Sequence, residues 1–380
     1  MRVLIAGGGT GGHIYPALTI GKALLEKGAE VIFAGTDKGL EKQIIPREGF
    51  RLETISVDYF PRRLSWRLVR SFFVAAKGVA EALALVRRLS PDVCVGTGGY
   101  VAGPVVLAAA LSGVPTVIQE QNALPGLTNR ILARFADKVA VGYEAAALSF
   151  GRGDKLVVTG NPIRPEIVAM TRQRGAARLG VDPTKRLVLI TGASQGARSI
   201  NHAVLEAFPK LTTLDAQFLI ATGAAGFKDF VSGVRAQAGK GRPFLDGQGE
   251  RFGNLMAVPY LYDMPAALAA SDLVVGRAGA LSIAEITARG LPAILIPYPY
   301  AAENHQEKNA RVLEAAGAAR VILDRELNAA RLYDEIASLL ADDERLAAMA
   351  EASRKLGKPD AVWEIVALIE GVVALRQGRT

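Results

Sequence analysis

The sequence predicts an α/β fold of two Rossmann-like domains facing each other across a cleft, on three observations. Short apolar runs alternate with helix-period segments along most of the chain. Two of those runs, one beginning at Val3 and one at Leu187–Thr191, pass through a glycine-bearing loop into a helix. Between them, Gly160-Asn161-Pro162-Ile163-Arg164-Pro165 packs two prolines and a glycine into six residues and reads as an interdomain hinge. The domains expected are 1–161 and 162–357, with a helix over 360–380 crossing back onto the first.

A chain of 380 residues exceeds one ordinary core, and half of it is apolar with 40 glycines, which fits compact α/β structure rather than disorder. The formal charge of +8 calls for an anionic partner, whether nucleic acid, acidic lipid or a phosphorylated substrate. Cys94 is the only cysteine, so an intrachain disulfide is excluded and a reducing compartment is expected. The first strand is read as beginning at once, without an n-region or cleavage site, so no signal peptide is expected. Val93 to Gln119 carries no charge, but Gly96, Gly98, Gly99, Gly103, Pro104, Gly113 and Pro115 divide it into strand, helix and strand, not a membrane span.

The first element, VLIAGGGTGGHIYPAL from Val3 to Leu18, reads as strand, tight loop and helix. Its glycines allow close backbone approach, and the helix start favours an anion or an oxygen-rich group there. His13 lies in that helix's first turn, either as a base or as a hydrogen-bonded structural residue. Gly7, Gly9 and Gly12 match G-x-G-x-x-G, a nucleotide-binding pattern. A nicotinamide dinucleotide site should close its second strand on an acid; the strand Glu30 to Ala34 runs instead into Gly35 and Thr36. That counts against an oxidoreductase, which stays, with a non-catalytic nucleotide-binding module, as the alternative from another class.

A helix over 39–48 and a strand over 50–57 follow. From Tyr59 to Phe73 arginines alternate with aromatic and aliphatic residues, and Phe60, Arg62, Arg63, Trp66, Arg67 and Arg70 are the candidates for contact with an anionic membrane surface. A core helix with an arginine face and a nucleic-acid stripe are the alternatives. Next come a helix over 75–89, the strand 93–96, a glycine loop, a helix over 104–111, the strand 116–119, and the loop Glu120 to Asn129, whose Asn122 faces the carboxyl edge of the sheet. Strand 156–159 leads into the hinge.

The second domain reads as strand 187–191, helix 199–208, strand 217–221, helix 227–237, a glycine-rich loop to Gly253, strand 256–259, helix 264–270 and strand 272–275. In the loop and helix from Gly276 to Ile286, small residues admit a diphosphate and Glu285 can accept from a ribose; Ser282 and Glu285 are equally spaced as a capping box. After strand 293–297, Gln306 sits in a loop opening a helix and suits sugar hydroxyls. From Asn328 the chain is helical by period, broken at Gly357-Lys358-Pro359-Asp360.

GGGTGGHIYPAL, TGGYVAGP, EQNALPGLTNR, GNPIR, GASQGA, RAGALSIAE and NHQEKNA, in this order and across the whole chain, resemble the MurG family. The resemblance implies a glycosyltransferase B fold and an inverting transfer of N-acetylglucosamine from UDP-GlcNAc to undecaprenyl-diphospho-muramoyl-pentapeptide (lipid I), giving lipid II of peptidoglycan. It implies His13 as general base and Thr10, Gly11 and Gly12 at the donor. Asn122 matches a sugar contact, Arg164 and Ser194 groups near the diphosphate, and Leu261 a backbone contact to uracil. Ala280, Leu281, Ser282, Ile283, Ala284 and Glu285 match the diphosphate and ribose segment, and Gln306 a GlcNAc contact. Ala193 replaces a usual glycine, Ser282 a common threonine and Gln119 a frequent histidine. No metal and no cofactor are expected, UDP-GlcNAc being a co-substrate, and no nucleic acid. The expected place is the cytoplasmic face of the cell (inner) membrane, peripherally bound. Other cell-wall synthesis or division proteins are partners left open, and a related transferase using another lipid acceptor is the alternative.

Overall fold

The computed structural model describes residues 1–57, 67–150, 153–192 and 196–378, and for 67–76 the backbone alone. The chain forms two compact units, Met1–Ile163 with Asp360–Thr380, and Arg164–Pro359.

In the first unit seven strands, β1 (Arg2–Gly7), β2 (Glu30–Gly35), β3 (Arg51–Thr54), β4 (Val93–Gly98), β5 (Thr116–Glu120), β6 (Lys138–Val141) and β7 (Leu156–Val158), form one sheet in the order β3-β2-β1-β4-β5-β6-β7. Every pairing is parallel. A parallel sheet is covered on both faces, which is why its strands are apolar without alternation. In β1, Val3 and Ile5 face one core, shared with helix Gly11–Glu26 and with Val362, Ile365, Val366 and Ile369 of helix Ala361–Arg376. Leu4 and Ala6 face the other, shared with helices Arg67–Leu89 and Gly99–Leu111. The uncharged window 93–119 is β4, a helix and β5, all inside the unit. No helix among the described residues is long and apolar enough to cross a membrane.

Among the described residues the second unit has eight strands, β8 (Leu187–Thr191), β9 (Gln217–Ala221), β10 (Arg242–Phe244), β11 (Gly249–Phe252), β12 (Leu255–Val258), β13 (Leu273–Gly276), β14 (Ala293–Leu295) and β15 (Ala319–Val321), in the order β10-β11-β12-β9-β8-β13-β14-β15. Val188 and Ile190 of β8 pack with Ile200, Val204 and Phe208 of helix Arg198–Leu211, and with Leu332, Ile336 and Leu339 of helix Ala329–Leu340.

Several elements depart from the sequence expectation. The glycine-rich stretch before Gly253 is an antiparallel hairpin, β10 and β11, added at the sheet edge. Pro243 is tolerated there because β10 is the edge strand. No glycine loop follows β4: the strand ends at Gly98, the helix starts at Gly99 and Pro104 lies inside it. Strands β6 and β15, four and three residues, are too short to show a period. The arginine segment's Phe60, Arg62, Arg63 and Trp66 lie outside the described residues, and Arg67 and Arg70 open helix Arg67–Leu89, where only backbone is described.

Candidate active site

In each unit the sheet order reverses beside a strand that starts a glycine loop: between β1 and β4 in the first, between β8 and β13 in the second. In open α/β sheets the loops at the carboxyl ends of such strands diverge and leave a crevice for ligands.

In the first unit the loop leaving β1 and the junction of β4 with its helix are jammed together around His13. Gly9, Gly98 and Gly99 have φ of 86°, 100° and 81°, which side chains rarely adopt. A Cβ on Gly98 would lie 2.8 Å from Cδ2 of His13, and one on Gly99 would lie 2.3 Å from the carbonyl oxygen of Gly8. These two glycines therefore make room for the imidazole and its loop. His13 Nδ1 is 3.1 Å from Thr10 Oγ1 and 3.3 Å from the Gly8 carbonyl oxygen. With the proton on Nδ1 donated to that carbonyl, Nε2 is the basic nitrogen of the ring. Thr97 Oγ1 donates to the carbonyl of His13 at 2.9 Å and ties this turn to β4. Thr10, the N-cap of helix Gly11–Glu26, spends its hydroxyl on the imidazole and not on a backbone amide.

The loop after β5 rests on buried polar groups. Glu120 Oε1 accepts from the Asn122 amide at 2.8 Å and from Asn122 Nδ2 at 3.2 Å, while Oε2 accepts from Gly126 N–H at 3.0 Å and Asn129 Nδ2 at 2.9 Å. Gln121 points inward, donating to the Thr97 carbonyl at 2.7 Å and to Gln119 Oε1 at 2.5 Å. Asn161 accepts from Gln119 Nε2 at 3.0 Å. The neighbours Gln121 and Asn122 thus divide the work: the first builds the floor, the second is held at the edge.

In the second unit helix Ala280–Ala288 begins behind Gly279 with no side-chain cap. The Ser282 and Glu285 spacing is therefore not a capping box, because Ser282 already lies inside the helix and Glu285 binds Arg164 instead, Nη2 to Oε1 at 3.2 Å. Burial pushes the Glu285 carboxyl above its ordinary range, against the nearby Arg164 guanidinium, which favours the charged form. Hydroxyl donors arriving at this carboxylate would act in the same sense as Arg164. Ser194, with Ala193, lies outside the described residues, but the loop's two ends are constrained. A Cβ at Gly192 would sit 2.2 Å from the Ala197 amide nitrogen, and one at Gly196 2.2 Å from the Thr222 carbonyl oxygen. Leu261 is buried in the loop after β12. Gln306, in the first turn of helix His305–Ala315, accepts from the Tyr298 amide through Oε1 at 3.0 Å, which turns its amide nitrogen away as a donor.

Two further residues belong to these loops and were not singled out in the sequence. Glu41 lies in the first turn of helix Glu41–Arg47, fully buried under the β1 loop. Arg277, 9% exposed, leaves β13 and binds Asp324 at 2.6 Å, Ser199 Oγ at 2.9 Å and the carbonyls of Ile296 and Pro297. An arginine among the small residues that follow an apolar strand was the one sequence signal for it; a glutamate in a short amphipathic helix gave none.

The structure thus brings together Thr10, Gly11, Gly12 and His13 in one turn of the first unit, and Arg164 with Glu285 in the second. Residues 3–141 match the glycosyltransferase family 28 N-terminal domain and residues 187–365 the family's C-terminal domain. A Moorella thermoacetica protein named UDP-N-acetylglucosamine--N-acetylmuramyl-(pentapeptide) pyrophosphoryl-undecaprenol N-acetylglucosamine transferase is 47% identical over 372 residues, 97% of this chain and 98% of that one. A Desulforamulus reducens protein of the same name is 44% identical over 380 residues, covering 99% and 100%. The crystal structure of Acinetobacter baumannii MurG matches with a TM-score of 0.75 at 28% identity, covering 97% of this chain and 99% of that one.

Proposed function

The chain belongs to glycosyltransferase family 28, and we infer that it transfers N-acetylglucosamine from UDP-GlcNAc to the muramoyl 4-hydroxyl of lipid I, giving lipid II. Identity along nearly the whole length to two chains named for this transfer carries the reading. The second unit holds the donor. Its diphosphate lies at the N-terminus of helix Ala280–Ala288 and near Arg164 and Ser194, where unpaired amides and the helix dipole favour an anion. Glu285 takes the ribose hydroxyls, Leu261 the uracil through its backbone, and Gln306 the amino-sugar, with Thr10, Gly11, Gly12 and Asn122 completing the sugar contacts.

His13 Nε2 takes the proton from the acceptor hydroxyl as that oxygen bonds to C1 of N-acetylglucosamine with inversion. The C1–oxygen bond to the diphosphate breaks, and UDP leaves with the bonding pair, stabilised by the helix amides and Arg164. Incubating the protein with UDP-GlcNAc labelled in the sugar and lipid I is expected to yield labelled lipid II. Label passing only to another lipid, such as diacylglycerol, would transfer the reading to the alternative acceptor.

An acceptor anchored in lipid brings the protein to a membrane, and we place it peripherally on the cytoplasmic face. Support comes from Leu127, Ile131 and Phe135, 61%, 48% and 47% exposed, interleaved with exposed Arg130 and Arg134. The helix Leu127–Leu132 packs on helix Gly99–Leu111, which also carries helix Arg67–Leu89. Arg130→Glu with Arg134→Glu is expected to weaken binding to anionic vesicles by about 1 kcal/mol per lost positive charge, less so at high salt. Sedimentation with vesicles checks this; equal binding at low salt would remove these residues from the contact.

A further inference from the structure

We propose that Glu41 is a positioning residue for His13, acting through a single peptide group, an inference that rests on the base role of His13 proposed above. Glycine loops at this place in such sheets ordinarily aim their amides at a phosphate. Here the loop's own protein supplies the anion. Glu41 Oε2 accepts from the Gly9 amide at 3.0 Å, and Oε1 accepts from the Thr36 amide at 3.2 Å and its hydroxyl at 2.7 Å. The carboxylate is fully buried.

Three glycines leave room for this side chain, Gly39 for it alone and Gly8 and Gly35 for Val101 and Leu52 as well. A Cβ would lie 2.1 Å from Glu41 Oε2 if placed on Gly39, 2.7 Å from its Cγ if placed on Gly35, and 2.9 Å from its Cδ if placed on Gly8. Burying a carboxylate is costly unless donors surround it, and here three do.

The Gly9 N–H and the Gly8 carbonyl are two ends of one peptide plane. Glu41 holds the nitrogen end; Nδ1 of His13 faces the oxygen end at 3.3 Å. Accepting a hydrogen bond from the N–H polarises the peptide and makes its oxygen a better acceptor. The imidazole proton is thereby kept on Nδ1, the ring is fixed in orientation, and Nε2 is kept basic. The carboxylate does across a peptide what an aspartate beside a catalytic histidine does directly. Thr36 Oγ1 extends the chain to Tyr100 OH at 3.3 Å and accepts from Gly39 N–H at 3.1 Å, so the latch is anchored on the β4 side as well.

The test is a double-mutant cycle with lipid I and UDP-GlcNAc, combining Glu41→Gln and His13→Ala. Glutamine keeps the volume and removes the charge. With His13 present, Glu41→Gln is expected to lower kcat by about 10- to 100-fold, as misplacement of a reacting group does, with KM for UDP-GlcNAc changed less than about twofold. In the His13→Ala background the same substitution is expected to have almost no further effect. An equal loss in both backgrounds, or a loss confined to KM, would overturn the proposal. If His13→Ala by itself leaves kcat intact, the base reading fails and this inference falls with it, an outcome distinct from additivity. Thr36→Val keeps the carboxylate and removes one donor; it is expected to shift kcat in the same direction by a few-fold, and it carries the cycle if Glu41→Gln does not fold.

Discussion

His13→Ala is expected to lower turnover by about 10²- to 10⁴-fold, the range over which a positioned base contributes. In our reading the diphosphate, ribose and uracil of the donor are held by the second unit and the sugar contacts do not include His13, so KM for UDP-GlcNAc should stay near that of the native protein. The loss arises because the attacking oxygen must otherwise release its proton to water as it bonds to C1. No other side chain of the β1 loop offers a basic nitrogen: Thr10 and the five glycines of that stretch do not titrate in the working range. His13→Gln sharpens the test, since it can keep a hydrogen bond to the Gly8 carbonyl and still cannot accept the proton. Both variants should be deficient to a similar degree. Near-normal turnover in either one would exclude the base role and leave His13 as a structural residue of the loop.

A second large effect is expected at Asp324. Arg277 is held on four acceptors: Nη1 donates to Asp324 Oδ1 and to the carbonyls of Ile296 and Pro297, and Nη2 donates to Ser199 Oγ. Ser199 Oγ also donates to Asp324 Oδ1 at 2.7 Å, and the guanidinium lies 5.6 Å from the ring centre of Tyr298. The cluster ties the chain after β13, β14 and β15 to the start of helix Arg198–Leu211, and so holds the crevice edge of the second sheet. Asp324→Ala leaves the guanidinium buried without its carboxylate, a loss of about 3–5 kcal/mol. For a unit of this size that lowers the melting midpoint by roughly 6–20 °C. Replacing both charges, Arg277→Met with Asp324→Ala, should cost less than Asp324→Ala alone, because no unpaired charge is then buried. Thermal unfolding followed by circular dichroism decides it. A shift below about 2 °C for Asp324→Ala would show that solvent reaches the arginine and pairs it.

Periodicity made β1, β2, β8 and β9 legible, because a strand buried on both faces is a continuous apolar run and a following helix shows its own spacing. The hairpin of β10 and β11 was not, since the edge strand β10 can carry Arg242 and Pro243 without penalty. Strand β6 was hidden by its length and by Lys138, whose ammonium reaches the Asp154 carbonyl at 2.6 Å. At the site, His13 and the loop Gly276–Gly279 stood out because few residue types suit a turn between an apolar strand and a helix. The glycines were visible, but their reasons were not. Gly98 and Gly99 yield space to His13 and its loop, and Gly35 and Gly39 yield space to Glu41.

What the sequence alone determined is local: which stretches are strand, loop or helix over most of the chain, that two Rossmann-like sheets follow, and which loops leave their carboxyl ends. Those properties depend on neighbours a few residues apart. The tertiary structure alone decided which groups meet: Glu41 with the amide of Gly9, Arg164 with Glu285, and Arg277 with Asp324. Each of those pairs spans at least one strand crossover, and a buried charge takes its partner from whatever the sheet order carries alongside.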